Sequence, residues 1–295
     1  MHPNTSPETL IKLFGEYSYL GNHCRCSSGE YLELILKNPN LPLILLEQPD
    51  FFDLLLDLPN FYISFSSRLP QFLIDLAANH TKASIRSDIA ANYCIPIDYL
   101  IKLAQDTDSN VRSSVAQNAC MSDRAFKWLT GLKPSDRTVN NHPQAVNKII
   151  DRLARDPAME VRYAVANHSG TPTEIIEQLS FDDDDNILGA VARNIHTSEA
   201  TLRRLFEYQS QFVAEALARN KNLPVDLMKI YAASENDRVR YSIADNKSTP
   251  SAILSKLASD RKKMICQAVA NNPNTPSQII EQLAKAGTEQ YDIPF

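Results

Sequence analysis

The chain has 295 residues, of which 43% are apolar and 22% charged, and a formal charge of −5. This is the composition of a folded soluble protein, and the acidic balance weighs against a general nucleic-acid binder, leaving room only for a local basic stripe. No apolar run approaches the ~18 residues of a membrane span. The N-terminus, MHPNTSPETL, lacks a charged-then-apolar leader, and five cysteines fit a reducing cytoplasm better than a disulfide scaffold.

In chain order, residues 2–13 (HPNTSPETLIKL) read as the second half of a repeat, aligned with NPNTPSQIIEQL at 272–283. Ser6 caps that helix and Pro7 opens it. An insertion carrying His23, Cys24 and Cys26 completes a first segment, 1–30. Residues 31–84 form degenerate repeats rich in aromatics, including Phe51, Phe52, Phe61, Tyr62, Phe65 and Phe72. Residues 85–286 are regular repeats, although the copy at 135–160 starts two residues early and has a weak first helix. The tail, 287–295, has no helical pattern.

The clearest copy is VRYSIADNKSTPSAILSKLASD, Val239–Asp260. With Val239 as position 0, Val239, Ile243 and Asn246 share one face of a short helix at 100° per residue. Thr249-Pro250 makes a turn, and Leu254 and Leu257 mark the buried side of a second helix. Copies begin at Tyr31, Pro59, Ile85, Val111, Ser135, Val161, Ile187, Val213, Val239 and Ile265, mostly 26 residues apart. Positions 4 and 15 are apolar in all ten. Each helix has two or three turns, too short to persist alone, so each copy must bury its face on the next. Small residues at positions 3 and 5, such as Ala164 and Ala166, let first helices approach to about 8–10 Å. Thr171 and Glu174, like Thr275 and Gln278, have capping-box spacing. The fold expected is an all-α solenoid of about ten two-helix repeats.

These residues resemble the variant leucine-rich repeat: Val161-Arg162-Tyr163-Ala164-Val165-Ala166, then Thr171-Pro172 and Ile175-Ile176. The resemblance covers roughly residues 85–286 and implies a right-handed superhelix of α-helices alternating with short 3₁₀ helices. The spacing of Asp106/Arg112 and Asp156/Arg162 also resembles the HEAT repeat, whose repeats are α/α. The founding variant-repeat protein carries an iron–sulfur cluster on an N-terminal domain of four cysteines. This chain has only Cys24 and Cys26 there, so no cofactor is expected.

Asn92, Asn118, Asn194, Asn220, Asn246 and Asn272 all stand at position 7, on the buried side, where an amide must be hydrogen-bonded. They read as structural, ending helices or bracing loops. Arg86, Arg112, Arg162 and Arg240 at position 1 read as partners of Asp106, Asp156 or nearby carbonyls. His23, Cys24 and Cys26 are weak metal candidates, since Cys-x-Cys with one histidine is not zinc spacing. The acidic run Asp182–Asp185 reads as a solvated loop.

Positions 2 and 6 of the first helices point away from the core. Gln117, Arg137, Tyr163, Arg193, Arg219 and Tyr241 stand there, and tyrosine and arginine dominate interface energetics. Catalytic motifs are missing. The first expectation is therefore a non-catalytic, monomeric scaffold that takes a protein or peptide along its concave, first-helix surface. The alternative is nucleic-acid binding in a cradle like that of HEAT-like DNA glycosylases, and the last is a metalloprotein centred on the cysteine insertion.

Overall fold

The computed structural model describes residues 69–121 and 137–289, with Thr9, Lys12, Lys127 and Lys133 as isolated residues. His23, Cys24, Cys26, Trp128, the 1–30 segment, most of 31–84 and the last residues of the tail lie outside the described residues. The contacts separate into two compact units that divide at Leu153/Ala154, inside the irregular 135–160 copy.

The first unit contains α1 (Gln71–Ala78), α2 (Ala83–Ala90), α3 (Ile97–Leu103), α4 (Ser109–Cys120), a 3₁₀ turn (Thr138–Asn141) and α5 (Pro143–Leu153). The second contains α6 (Met159–Asn167), α7 (Thr173–Leu179), α8 (Asp185–Arg193), α9 (Glu199–Phe206), α10 (Gln211–Arg219), α11 (Val225–Tyr231), α12 (Asp237–Asp245), α13 (Ser251–Leu257), α14 (Lys263–Asn271) and α15 (Ser277–Glu289). The described residues form no strand. Both helices of the regular repeats are α, so α/α is the repeat type, and the 3₁₀ turn stands where one first helix should be.

The apolar spacing places the core. Position 4 is closed off at Ile89, Val115, Val139, Val165, Val191, Leu217, Ile243 and Val269, and position 15 at Ile74, Leu100, Ile150, Ile176, Leu202, Met228 and Leu254. First helices pack on first helices: α2 on α4 in one unit, and α6, α8, α10, α12 and α14 in succession in the other. Ala164, Ala190, Ala216, Ser242 and Ala268 at position 3 are buried between them, where no longer side chain would fit at that approach.

A helix this short leaves its last carbonyls without intrahelical donors. The position 7 asparagines supply them across repeats. Asn220 Nδ2 donates to Ala192 O at 2.7 Å and to Asn194 O at 3.0 Å, while its Oδ1 accepts the Asn222 N–H at 2.8 Å. Asn246 donates likewise to Ala218 and Asn220, and Asn272 to Ala244 and Asn246. Asn194 reaches Ala166 and His168, and Asn118 reaches Ala90 and Asn92. Each amide thus ties the end of its own helix to the end of the helix before it.

Threonine works on the same helix ends. Thr171 donates its hydroxyl to Val165 O at 2.5 Å, Thr249 to Ile243 O and Thr275 to Val269 O. The Thr171 and Thr275 capping boxes do not form. Thr171 looks back six residues, and the residue preceding α7 is Pro172, with no side-chain cap. Its extended backbone aims its carbonyl at the Ile175 and Ile176 N–H groups.

The arginines at position 1 join different partners from those the D…VR spacing suggests. Arg162 donates Nη1 to the Asp156 backbone carbonyl, but its ion pair is with Asp182, 2.7 Å away at the end of the same repeat. Arg86–Asp106 and Arg240–Asp260 repeat this geometry at the same distance. Arg112 donates to the backbone carbonyls of Asp106 and Thr107. The Asp156 carboxylate accepts from the Ala158 N–H. Both residues are replaced in the next two repeats, by Leu188 and Tyr208 and then by Ala214 and Ser234, whereas Arg112 has Leu132 twenty residues on and Asp156 has Asp136 twenty residues back. A lone buried charge costs more than a pair or no charge, and Arg112 and Asp156 are instead met by backbone groups. Cys266 stands at position 1 of the last copy and points its thiol at the Ala258 and Asp260 carbonyls.

Arg240 holds the Asp260 carboxyl below the ordinary carboxylate range against the opposing effect of burial, and Arg86 does the same for Asp106. Burial pushes Asp182 up, but Arg162 and the Asp184 N–H together bring it below. A depressed folded-state pKa stabilises fully above the unfolded value, about 4 for aspartate, and that contribution is lost as pH falls through the depressed values.

Two predictions follow from these contacts. Asn220→Ala strands two carbonyls and an N–H, so it should lower the unfolding free energy by about 2–4 kcal/mol, whereas Asn271→Ala on the exposed side should cost less than about 0.5 kcal/mol. Urea denaturation distinguishes them, and equal losses would refute the asparagine rungs. Arg240→Leu or Asp260→Tyr alone should cost about 2–4 kcal/mol, and the two together markedly less than their sum. The double variant should also lose less stability than the parent on acidification below about pH 4, as followed by circular dichroism.

Candidate partner-binding face

In the second unit, the side of the first helices away from the core presents positions 2, 3 and 6. Position 3 is small and buried, so the accessible chemistry comes from positions 2 and 6 and from the residue just before position 0. Tyr163 on α6, Arg193 on α8 and Tyr241 on α12 are half-buried, and Arg219 on α10 is exposed. Gln117 is exposed on α4, in the first unit.

Arg137 is a correction. It was expected on the surface but is only 2% exposed. Its guanidinium donates to Met121 O at 2.5 Å and to Asn118 O. The reason lies in the irregular copy. Position 7 there is His142, so no asparagine is available for the end of α4. That helix also runs three residues past Gln117, where the others stop. Arg137 supplies the missing donors. In the longer helix Asn118 Oδ1 has no turn N–H within reach, and it finds no partner among the described residues.

A buried glycine and an exposed aromatic shape this face beyond what the sequence pattern indicates. Gly189 stands at position 2 of α8, and a Cβ built there would lie 2.4 Å from the Phe212 ring. The glycine therefore makes a notch in which Phe212, from the start of α10, lies against the backbone of α8. The ring remains 42% exposed, and the Arg193 guanidinium sits 5.8 Å from its centroid. A signal was present: glycine inside a helix costs about 1 kcal/mol against alanine, so a mid-helix glycine asks for a close neighbour. Only the stacking shows that the neighbour is an aromatic from the next repeat.

Charge divides along this face. Arg193 and Arg219, at position 6 of consecutive helices, belong to none of the ion pairs among the described residues, unlike Arg86, Arg162 and Arg240. Arg219 is steadied by a 3.3 Å hydrogen bond from Nε to Ser242 Oγ. At the other end of the helices, Glu215, Glu235 and Asp237 line a recess beside Arg238. Asp245 is the position 6 residue of α12.

The Asp182–Asp185 run is more than a solvated loop. Asp182 pairs with Arg162, Asp184 accepts the Asn186 and Ile187 N–H groups to cap α8, and Asp185 accepts the Ser210 hydroxyl. Among the described residues Cys94, Cys120 and Cys266 form no disulfide, and no group of three or more metal-ligating side chains occurs. No helix of the described residues is long and apolar enough to cross a membrane.

Tyr241→Ala should leave the thermal midpoint within about 2 °C of the parent, because its ring lies on the face rather than in the core, whereas Gly189→Ala must displace Phe212 and should lower it by several degrees. A differential scanning calorimetry trace in which both variants match the parent would remove the notch.

No protein-family model matches the chain, and no curated protein matches it either. Among solved structures the chain is similar to one described as a leucine-rich repeat variant with a novel repetitive protein structural motif, with 17% identity and a TM-score of 0.46, over 79% of this chain and 84% of that one.

Proposed function

We propose that the chain is a non-catalytic interaction scaffold that takes a protein or peptide partner on the first-helix face of its second unit. The observation that carries this reading is the pair of arginines, Arg193 and Arg219, in no ion pair among the described residues, on a face that also carries the exposed Phe212 and the half-buried Tyr163 and Tyr241. Elsewhere the position 1 arginines Arg86, Arg162 and Arg240 are held by aspartate. Arginine and aromatic side chains, fixed in place before binding, are what interface hot spots are made of. The aspartates with lowered titration, Asp106, Asp182, Asp226 and Asp260, are all engaged in ion pairs, and Asp88 is raised by burial alone, which supports a binding rather than a catalytic reading.

Glu215 and Asp245 weigh against a nucleic-acid duplex, which would bring a negative charge every ~1.7 Å along its axis and could not avoid them. A peptide presents charge only where its sequence places it.

Replacing Arg193, Arg219 and Tyr241 together should abolish partner capture by the intact chain while leaving the thermal midpoint nearly unchanged. Captured material is analysed for protein and for nucleic acid at about 50 mM salt, where phosphate contacts are strongest. Unaltered capture removes the face, and capture of nucleic acid alone replaces this reading with the alternative.

A further inference from the structure

We propose that the partner segment is an extended acidic peptide whose two carboxylate side chains, three residues apart, are taken by Arg193 and Arg219, with an apolar side chain beside the first of them on the ring of Phe212. This deepens the scaffold reading and rests on it.

Three observations lead there. Both guanidiniums are positioned by neutral contacts, Arg193 against the Phe212 ring and Arg219 through Nε to Ser242 Oγ. Among the described residues their remaining N–H groups are claimed by no carboxylate, although Glu215 lies one turn before Arg219 and Asp245 holds the next position 6. A planar fork of donors matches a carboxylate in geometry and charge.

Spacing supplies the second argument. Arg193 and Arg219 are equivalent residues of stacked repeats, and packed helices stand about 8–10 Å apart. A polyproline II segment rises ~3.1 Å per residue with three residues per turn, so residues i and i+3 lie on one side about 9 Å apart. One repeat therefore matches one turn of the peptide. A β-strand does not fit as well, because its residues i and i+3 point to opposite faces.

The third is the notch. Gly189 lets the Phe212 ring lie against the backbone of α8, and Phe212 remains 42% exposed beside Arg193. An apolar side chain next to the first carboxylate covers the exposed part of the ring, and its burial excludes water from the ion pair. The acidic recess of Glu215, Glu235 and Asp237 sets polarity, repelling a longer acidic run from the helix N-terminal side.

The test is fluorescence anisotropy of the intact chain with labelled peptides that carry a Glu-Leu-Pro-Glu core between Gly-Ser flanks. This peptide should bind about tenfold or more tightly than versions with the glutamates two or four residues apart, or with glutamine in their place. Arg193→Gln or Arg219→Gln should each remove most of the preference for glutamate over glutamine, and the double variant all of it, with the thermal midpoint unchanged. Phe212→Ala should weaken the leucine-containing core but not one with glycine there. Equal binding of glutamate and glutamine cores, indifference to spacing, or no binding overturns the proposal, as does preference for a phosphoserine core. If the acidic peptides fail while the triple variant still loses partner capture, the scaffold reading survives without this partner chemistry. If capture is also unaffected, both fall.

Discussion

Nine-residue helices end before their carbonyls are satisfied, and everything else in this structure depends on how that deficit is met. The buried asparagine amide meets it twice over, giving two N–H bonds to the preceding repeat and taking one from its own turn. Because the acceptors belong to the neighbouring helix, the bond that finishes one repeat also sets its distance and register on the next. Hydrophobic burial at positions 4 and 15 supplies the larger driving force, but it is non-directional and would tolerate a slip. The amide does not tolerate one, since a shift of one residue would strand it in the core.

The irregular copy shows the same requirement from the opposite side. With histidine at position 7, the chain replaces a first α-helix by a 3₁₀ turn and brings in Arg137 from the preceding loop. A guanidinium offers more donors than an amide and reaches farther, so it serves a helix end that runs longer than the rest. The division between the two compact units falls in this copy. Charge within the repeats follows a similar economy. In three repeats an Arg and an Asp twenty residues apart tie the loop before the first helix to the end of the second. Where both are absent, Leu188 is buried and Tyr208 stays exposed.

The proposed binding face is the part that these structural duties leave over. Asparagine and threonine at the helix ends and arginine at position 1 are consumed internally. Arg193 and Arg219 are not, and Phe212 is laid on the surface by a glycine that the packing of α8 on α10 requires. Fixed side chains on short, mutually braced helices lose little freedom on meeting a partner, so contacts made there convert efficiently into affinity.

From the amino-acid sequence alone came the all-α repeat, its 26-residue period, the core positions and the buried asparagines, because helical periodicity repeated many times is a local signal that averages out noise. Position 7 was legible as structural, but its acceptors were not, since they lie one repeat away. For the same reason the D…VR spacing named aspartates six residues back, whereas the ion pairs close twenty residues forward, across a second helix whose direction only folding decides. Arg137 was assigned to the surface by register, and a missing helix turned it inward. The Gly189–Phe212 notch, with Arg193 beside it, and the absence of an ion pair for Arg193 and Arg219 among the described residues belong wholly to the tertiary structure, because stacking brings together residues that no periodicity within one helix connects.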